Sequence, residues 1–305
     1  MDGEDTDAER PDGRRLFEAL RDHEGPDAHT AVVVPWLERV RDDYRPLLGV
    51  VSRDEPWWED EGPVGAWRDP LKELYALSRV SDLLLLAFQP AADDEPDGTL
   101  WWPRVSRAQY LELFTGLGMT PFDGDTAFDP FLHEIVEVEQ TADPWAPIEV
   151  TGVVWPGLML GRLLFGRAGV RVRAGAGHAR RGIADRSPLY WTYLRRHRPT
   201  VDLSQGWGHN SQWRTDFRLD YRTPDSLRLN AAARGDIDEP DAPGDPGPPL
   251  TGAERRELLR HRCLLREPAA AAGPARTPGW ERELFPFRWR LPEPEERRAG
   301  GDDRL

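Results

Sequence analysis

Two histidines stand beside groups that could share a reaction with them. His133-Glu134 is the first half of an HExxH zinc motif, in which two histidines one helical turn apart hold the metal and the glutamate activates water. The second histidine would fall at position 137, which is Glu137. The metalloprotease pattern fails, and the two residues read as orienting the start of a strand. His209 and Asn210 lie in the polar, glycine-flanked stretch Gly206-Trp207-Gly208-His209-Asn210-Ser211-Gln212-Trp213-Arg214. A histidine with an amide partner can act as a general base in a hydrolase, but it needs a nucleophile. Ser204 and Ser211 lack a strand–turn–helix setting, and Cys263 lies beyond a Pro/Gly-rich stretch. A loop satisfying buried backbone groups between aromatics is the simpler account. Gly175-x-Gly177 has neither the spacing nor the lysine of a phosphate loop. A non-catalytic role is expected, with no cofactor and no metal. A hydrolase centred on His209 and Asn210 stands as an alternative.

Charge is the other feature that could act on a partner. The chain is −14 overall, yet Arg162 to Arg222 holds thirteen arginines and four aspartates, which makes that stretch +9 and the remainder −23. Tyrosines and tryptophans interleave with these arginines. That is a surface on which bases could stack, with Arg195, Arg196 and Arg198 as the cations. The competing account pairs the segment with the protein's own acids or with an acidic partner. The net charge favours it, because the whole chain repels polyanions. Lys72 is the single lysine, so the cations are almost all arginine.

Other classes are bounded by composition. The 305 residues are 39% hydrophobic and 31% charged, enough for a real core with some polar segments left over. The single cysteine rules out an intrachain disulfide and reads as a buried thiol on a helix. The first twelve residues are acidic where a leader would be basic and apolar, and the longest apolar run, Leu83 to Phe88, is too short to span a bilayer. A cytoplasmic location away from membranes is the expectation.

The elements that must position these residues follow from periodicity. Leu16 to Arg21 suggests a short helix. Trp36, Leu37, Val40, Tyr44, Leu47 and Leu48 recur at helical spacing, with Pro35 as a start and Pro46 as a bend or end. Asp69-Pro70 opens a third helix with a wide apolar face from Leu71 to Phe88. Ser106-x-x-Gln109 and Thr251-x-x-Glu254 are capping boxes for two more. After residue 130 the pattern turns to β-branched runs: Ile135 to Glu139, Ile148 to Val154 and Leu163 to Arg173. Residues 175–188 read as a mobile connection, and Trp280 to Trp289 as a piece that docks back. The expected fold is α+β. It divides into an acidic tail (1–15), a helical region (16–120), a β-rich head (121–175), an arginine- and aromatic-rich extension (176–234), a linker (235–249), a helix with a docking segment (250–291) and a tail (292–305).

The middle third resembles a known family. An apolar helix and a second helix ending in Leu117-Gly118-Met119-Thr120-Pro121 lead to Phe128-Asp129-Pro130-Phe131-Leu132-His133-Glu134. Trp155-Pro156-Gly157-Leu158-Met159-Leu160 and Ala168-x-Val170-x-Val172 follow. This order is similar to that of the bacterial GrpE family, the nucleotide-exchange factors of the Hsp70 chaperone DnaK. The resemblance implies a compact β head that docks on one lobe of the chaperone's ATPase domain and favours its open, nucleotide-poor state. It implies that Phe128, Pro130, Gly157 and Leu160 build the head, and that His133, Glu134, Arg162 and Arg167 touch the partner. The chain departs from the family upstream, where Pro35, Pro46, Pro56 and Pro63 break any long coiled coil. Leu158 stands where the family has a tyrosine, Arg162 and Leu163 where it has aspartate and arginine, and Gly166 where it has an arginine.

Overall fold

The computed structural model describes residues 12–52, 68–90, 102–202, 213, 217–233, 235–238, 251–267 and 287–292. The helices come first, and their apolar faces make one core. Helix α1 (Gly13–Asp22) is capped by Asp12, whose carboxylate accepts from the Arg15 amide at 3.1 Å, and buries Leu16, Phe17 and Leu20. A π-helical turn (His29–Val33) runs into α2 (Val34–Gly49). Pro46 does not end α2. It lies on the exposed side, while Tyr44 and Leu48 are fully buried on either side of it and carry the last turn past it. Helix α3 (Arg68–Leu85) begins one residue before Asp69, so Asp69 lies in the first turn and not at the cap. Leu71, Leu74, Leu77, Val80 and Leu84 form its expected buried face. Helix α4 (Arg107–Gly116) has the full capping box: the Gln109 amide donates to Ser106 Oγ at 3.2 Å, and the Ser106 amide to Gln109 Oε1 at 2.8 Å. Gly118 leaves the helix at φ +92°, a conformation that favours glycine.

The strands are β1 (Thr120–Phe122), β2 (His133–Gln140), β3 (Glu149–Trp155), β4 (Gly157–Leu160), β5 (Leu163–Gly166) and β6 (Ala168–Ala174). The short β7 (Leu189–Tyr190), β8 (Thr200–Val201), β9 (Tyr221–Arg222), β10 (Ser226–Leu229) and β11 (Gly235–Asp236) follow. Helix α5 (Gly252–His261) and β12 (Phe287–Pro292) close the order. A seven-stranded sheet runs β1-β4-β5-β9-β10-β12-β11, a three-stranded sheet runs β2-β6-β3, and β7 pairs with β8. Strand β6 is parallel to β2 and antiparallel to β3.

The α+β class holds, and three finer expectations change. The run Leu163 to Arg173 is two strands. It leaves the large sheet after Gly166 and enters the small one at Ala168, with Arg167 at the crossing. The region 121–175 is not a free-standing head, because β1, β4 and β5 share their sheet with β9, β10, β11 and β12 from residues 221–292. Residues 175–188 are packed: Ala179 and Ala184 are fully buried, and the Arg180 amide donates to the Leu265 carbonyl at 2.8 Å. Of the expected linker, residues 235–236 form β11, and residues 239–249 lie outside the described residues, as do the stretch 268–278 and the tail beyond residue 292. Trp289 docks back as expected, in β12 paired with β10. Among the described residues no helix is long and apolar enough to cross a membrane.

One packing feature ties the extension to the helices, and a second locks β3 onto β6. The Arg79 guanidinium of α3 lies 3.9 Å from the ring centre of Tyr193, 4.1 Å from that of Trp213 and 4.9 Å from that of Phe17. Trp155 is fully buried over Gly169, where a Cβ would sit 2.3 Å from the indole.

Candidate functional site

Two buried charge clusters meet at one cavity between α3, the sheets and the extension. The first is built on Arg195. Asp82 comes from the inner face of α3, and Glu134 from the face of β2 that also buries Val136. Arg195 donates to both Glu134 oxygens, at 2.8 and 2.7 Å, and to Asp82 Oδ1 at 2.6 Å. Asp82 Oδ2 accepts from the Tyr193 amide at 2.8 Å. Burial raises the Asp82 carboxyl above the usual aspartate range, against the pull of Arg195. Burial opposes ionisation of Glu134 as well, but the bidentate Arg195 outweighs it and holds that carboxyl at about 2. Two carboxylates and one guanidinium leave this wall with a surplus negative charge, spent on amides and a forked ion pair.

The second cluster is built on Asp220, which is fully buried. Its Oδ1 accepts from Arg218 Nε at 2.7 Å and from the Asn230 amide at 2.9 Å, and its Oδ2 from Arg262 Nη2 at 3.1 Å. Arg167 joins from the β5–β6 crossing and is bound by carbonyls, with Nη2 donating to Arg260 O at 2.8 Å and Nε to Phe131 O at 3.3 Å. Three guanidinium groups therefore share one carboxylate. Burial, and then the neighbouring arginines, lower Arg167 to about 9; burial lowers Arg218 to about 10. Among the described residues three non-glycine residues have positive φ, Trp191 at +55°, Asn230 at +50° and Arg262 at +61°. All three touch this cluster: Trp191 lies under the Arg218 guanidinium at 4.4 Å, and Asn230 and Arg262 bind Asp220. Left-handed backbone at a tryptophan or arginine costs on the order of 1–3 kcal/mol per residue, and persists only where the surroundings over-determine it.

The cavity between the clusters has a volume of about 40 Å³ and is walled by Asp82, Glu134 and Arg195 on one side and Arg167, Arg262 and Trp191 on the other. That is room for roughly three water-sized groups at ~10–15 Å³ each.

The nominated residues divide. Phe128, Pro130, Gly157 and Leu160 lie in or against the core, and Phe122 crosses Gly157 so closely that a Cβ there would overlap its ring. Of the nominated partner contacts, only Arg162 is exposed. His133, Glu134 and Arg167 are 2%, 6% and 6% exposed, so none presents itself to a partner. His133 Nδ1 accepts the Asp129 amide at 3.0 Å, which orients the entry to β2 as the bland account expects. The nominated polyanion contacts are also spent inside. Arg195 holds the two acids; Arg198 is buried and donates to the carbonyls of Ser187, Ala184 and Ile135; Arg196 stacks on Trp102 at 4.4 Å and donates to the Gln89 carbonyl. Arg171 pairs with Glu137, and Arg173 with Glu139 and Glu149. Six arginines of the basic segment, Arg171, Arg173, Arg180, Arg195, Arg218 and Arg222, thus pair with the protein's own acids, and Arg167, Arg196 and Arg198 donate to its carbonyls. Cys263 is buried, two residues beyond the end of α5, and burial raises its thiol above the usual range. His209 and Asn210 lie outside the described residues.

The sequence reading passed over Asp82, Asp220, Arg218, Arg262, Trp191 and Trp145. Two signals were there: Asp82 interrupts the apolar run before Leu83-Leu84-Leu85-Leu86, and Asp220 sits between Arg218 and Arg222 in an aromatic stretch. Trp145 is 72% exposed on the β2–β3 loop. That loop is ordered: the Trp145 amide donates to Asp143 Oδ1 at 2.9 Å, and the Gly177 amide to Pro144 O at 2.8 Å. Glycine is required beneath it, since a Cβ on Gly175 would lie 2.4 Å from the Pro144 carbonyl. Compared with known proteins, the chain matches no family model, no curated protein and no solved structure.

Proposed function

We propose that the chain works by docking on a folded protein partner, with Trp145 as the anchor, and that the partner is an Hsp70-type ATPase domain as the GrpE-like order of the middle third implies. Trp145 carries this reading. A large aromatic held out on a hydrogen-bonded turn has lost its loop entropy before it meets a partner. Burying it would contribute roughly 3–4 kcal/mol by area. Its surroundings suit the rim of an interface. The Glu139–Arg173–Glu149 ladder lies at the same end of the small sheet and pairs two carboxylates with one guanidinium, so a single uncompensated negative charge would sit at the rim, where it stays in water. Strand β3 is the last strand in its sheet and adds an edge to the same surface. Contact would run through the loop and ladder, with His133, Glu134 and Arg167 supporting the fold beneath.

The test is a pull-down and an ADP-release assay against nucleotide-bound DnaK, with the Trp145→Ala variant alongside. The expected result is binding in the micromolar range or tighter and faster ADP release, both lost in Trp145→Ala while the variant keeps its melting temperature. Failure of the unmodified chain to bind or to accelerate release would end the proposal.

A further inference from the structure

We infer that the cavity beside the Asp220 cluster is a binding site for a small, doubly charged oxyanion of phosphate size, held by Arg167 and Arg262. The charge count is the first reason. Arg167, Arg218 and Arg262 face one carboxylate, Asp220, and all four are largely out of water. A surplus of two positive charges in such a place is costly unless something of opposite charge joins it. The far wall offsets this only in part, because Arg195 takes up one of the two charges of Asp82 and Glu134 and leaves a single negative charge, held by backbone amides, against the two positive ones.

The second reason is unused hydrogen-bonding capacity. Arg167 Nη1, Arg218 Nη1 and Arg262 Nε are buried donors with no hydrogen-bond partner. Arg167 and Arg262 line the cavity directly. A buried N–H without an acceptor costs about 1–3 kcal/mol, more on a charged group. An oxyanion in the cavity would accept from both arginines and offset the charge at once. The third reason is the backbone. Trp191, Asn230 and Arg262 all hold left-handed conformations around this cluster. Arg262 does so as the C-cap of α5 and Asn230 as a residue type that tolerates this region, which leaves Trp191 as the strained position beside the cavity. The cavity's 40 Å³ sets the size of the guest: a group of a few heavy atoms fits, and a nucleotide does not.

Titration of inorganic phosphate into the full chain tests this, at constant ionic strength against sodium chloride, read by calorimetry and by melting temperature. The expected result is saturable one-to-one binding and a rise in melting temperature that tracks occupancy. Sulfate should bind comparably and acetate at least tenfold more weakly. Arg167→Met and Arg262→Gln should each weaken phosphate at least tenfold, while Arg171→Gln, on the exposed ladder, should leave it unchanged. If Arg167→Met does not fold, Arg262→Gln and the unmodified chain still decide. Phosphate with no saturable effect beyond chloride means that the cavity holds water only and overturns the site. Binding that survives in the folded variants places the anion elsewhere and overturns it too. Acetate as tight as phosphate rejects the doubly charged guest.

Discussion

Arg195 holds two buried carboxylates at once, and that makes it the side chain whose loss should be felt most. Removing it leaves Asp82 and Glu134 facing one another out of water, for which roughly 3–5 kcal/mol of destabilisation is the expected scale. Urea unfolding of Arg195→Met should show that drop, and neutralising both acids together (Asp82→Asn with Glu134→Gln) in the Arg195→Met background should recover much of it. A merely additive triple variant would mean that the three groups do not act as a unit. His197 supplies a pH-dependent counterpart. It is 5% exposed, its Nδ1 lies 3.2 Å from Gln89 Oε1, and burial, assisted by Arg198, Arg195 and Arg186 against the pull of Glu134, lowers it from 6.5 to about 4. The folded chain keeps this ring neutral while the unfolded chain takes up a proton. Stability is therefore whole above pH 6.5 and lost as pH falls towards about 4, by roughly 3 kcal/mol for such a shift. His197→Asn should flatten the stability profile over that window; an unchanged slope would assign it to other groups. Neither role was legible in the sequence. Arg195 lies 61 residues from Glu134 and 113 from Asp82, and no local pattern announces such pairings.

Helix signals were legible because they are local. The boxes at Ser106–Gln109 and Thr251–Glu254 formed as their three-residue spacing requires. Ser106→Ala should cost about 1 kcal/mol and lower the melting temperature by a few degrees, while Thr115→Ala, on the exposed side of α4, should change little. Strand signals were legible as strands and silent about sheets. Val170 and Val172 face inward and Arg171 and Arg173 outward along β6, as alternation predicts. The same alternation gives no sign that the chain changes sheets at Arg167, since a two-residue period is the same in either sheet. The Trp145 loop could have been found: Asp143-Pro144-Trp145 is turn chemistry carrying a tryptophan, set between the β-branched runs Ile135 to Glu139 and Ile148 to Val154.

At the scale of the molecule, the large sheet spans residues 120–292 and makes the β region and the C-terminal segments one structure. A fragment of residues 121–175 alone should therefore show no cooperative melt. Truncation after residue 286 should cost roughly 3 kcal/mol, because Trp289 and Leu291 pack on the cluster that holds Leu227, Leu229 and Leu259. Circular dichroism of both pieces would check this, and a sharply melting 121–175 fragment would restore the independent head. The position of β12 also bears on how the chain is made. It lies between β10 and β11, antiparallel to one and parallel to the other. While the polypeptide is still emerging from the ribosome, β10 offers an open edge with Leu227 and Leu229 beside it, and β11 has no neighbour to join. Closure waits until β12 has been synthesised, well after β10, and pairing between strands so far apart in sequence raises contact order and slows folding. The nascent protein is most exposed to self-association in the interval between the synthesis of β10 and that of β12.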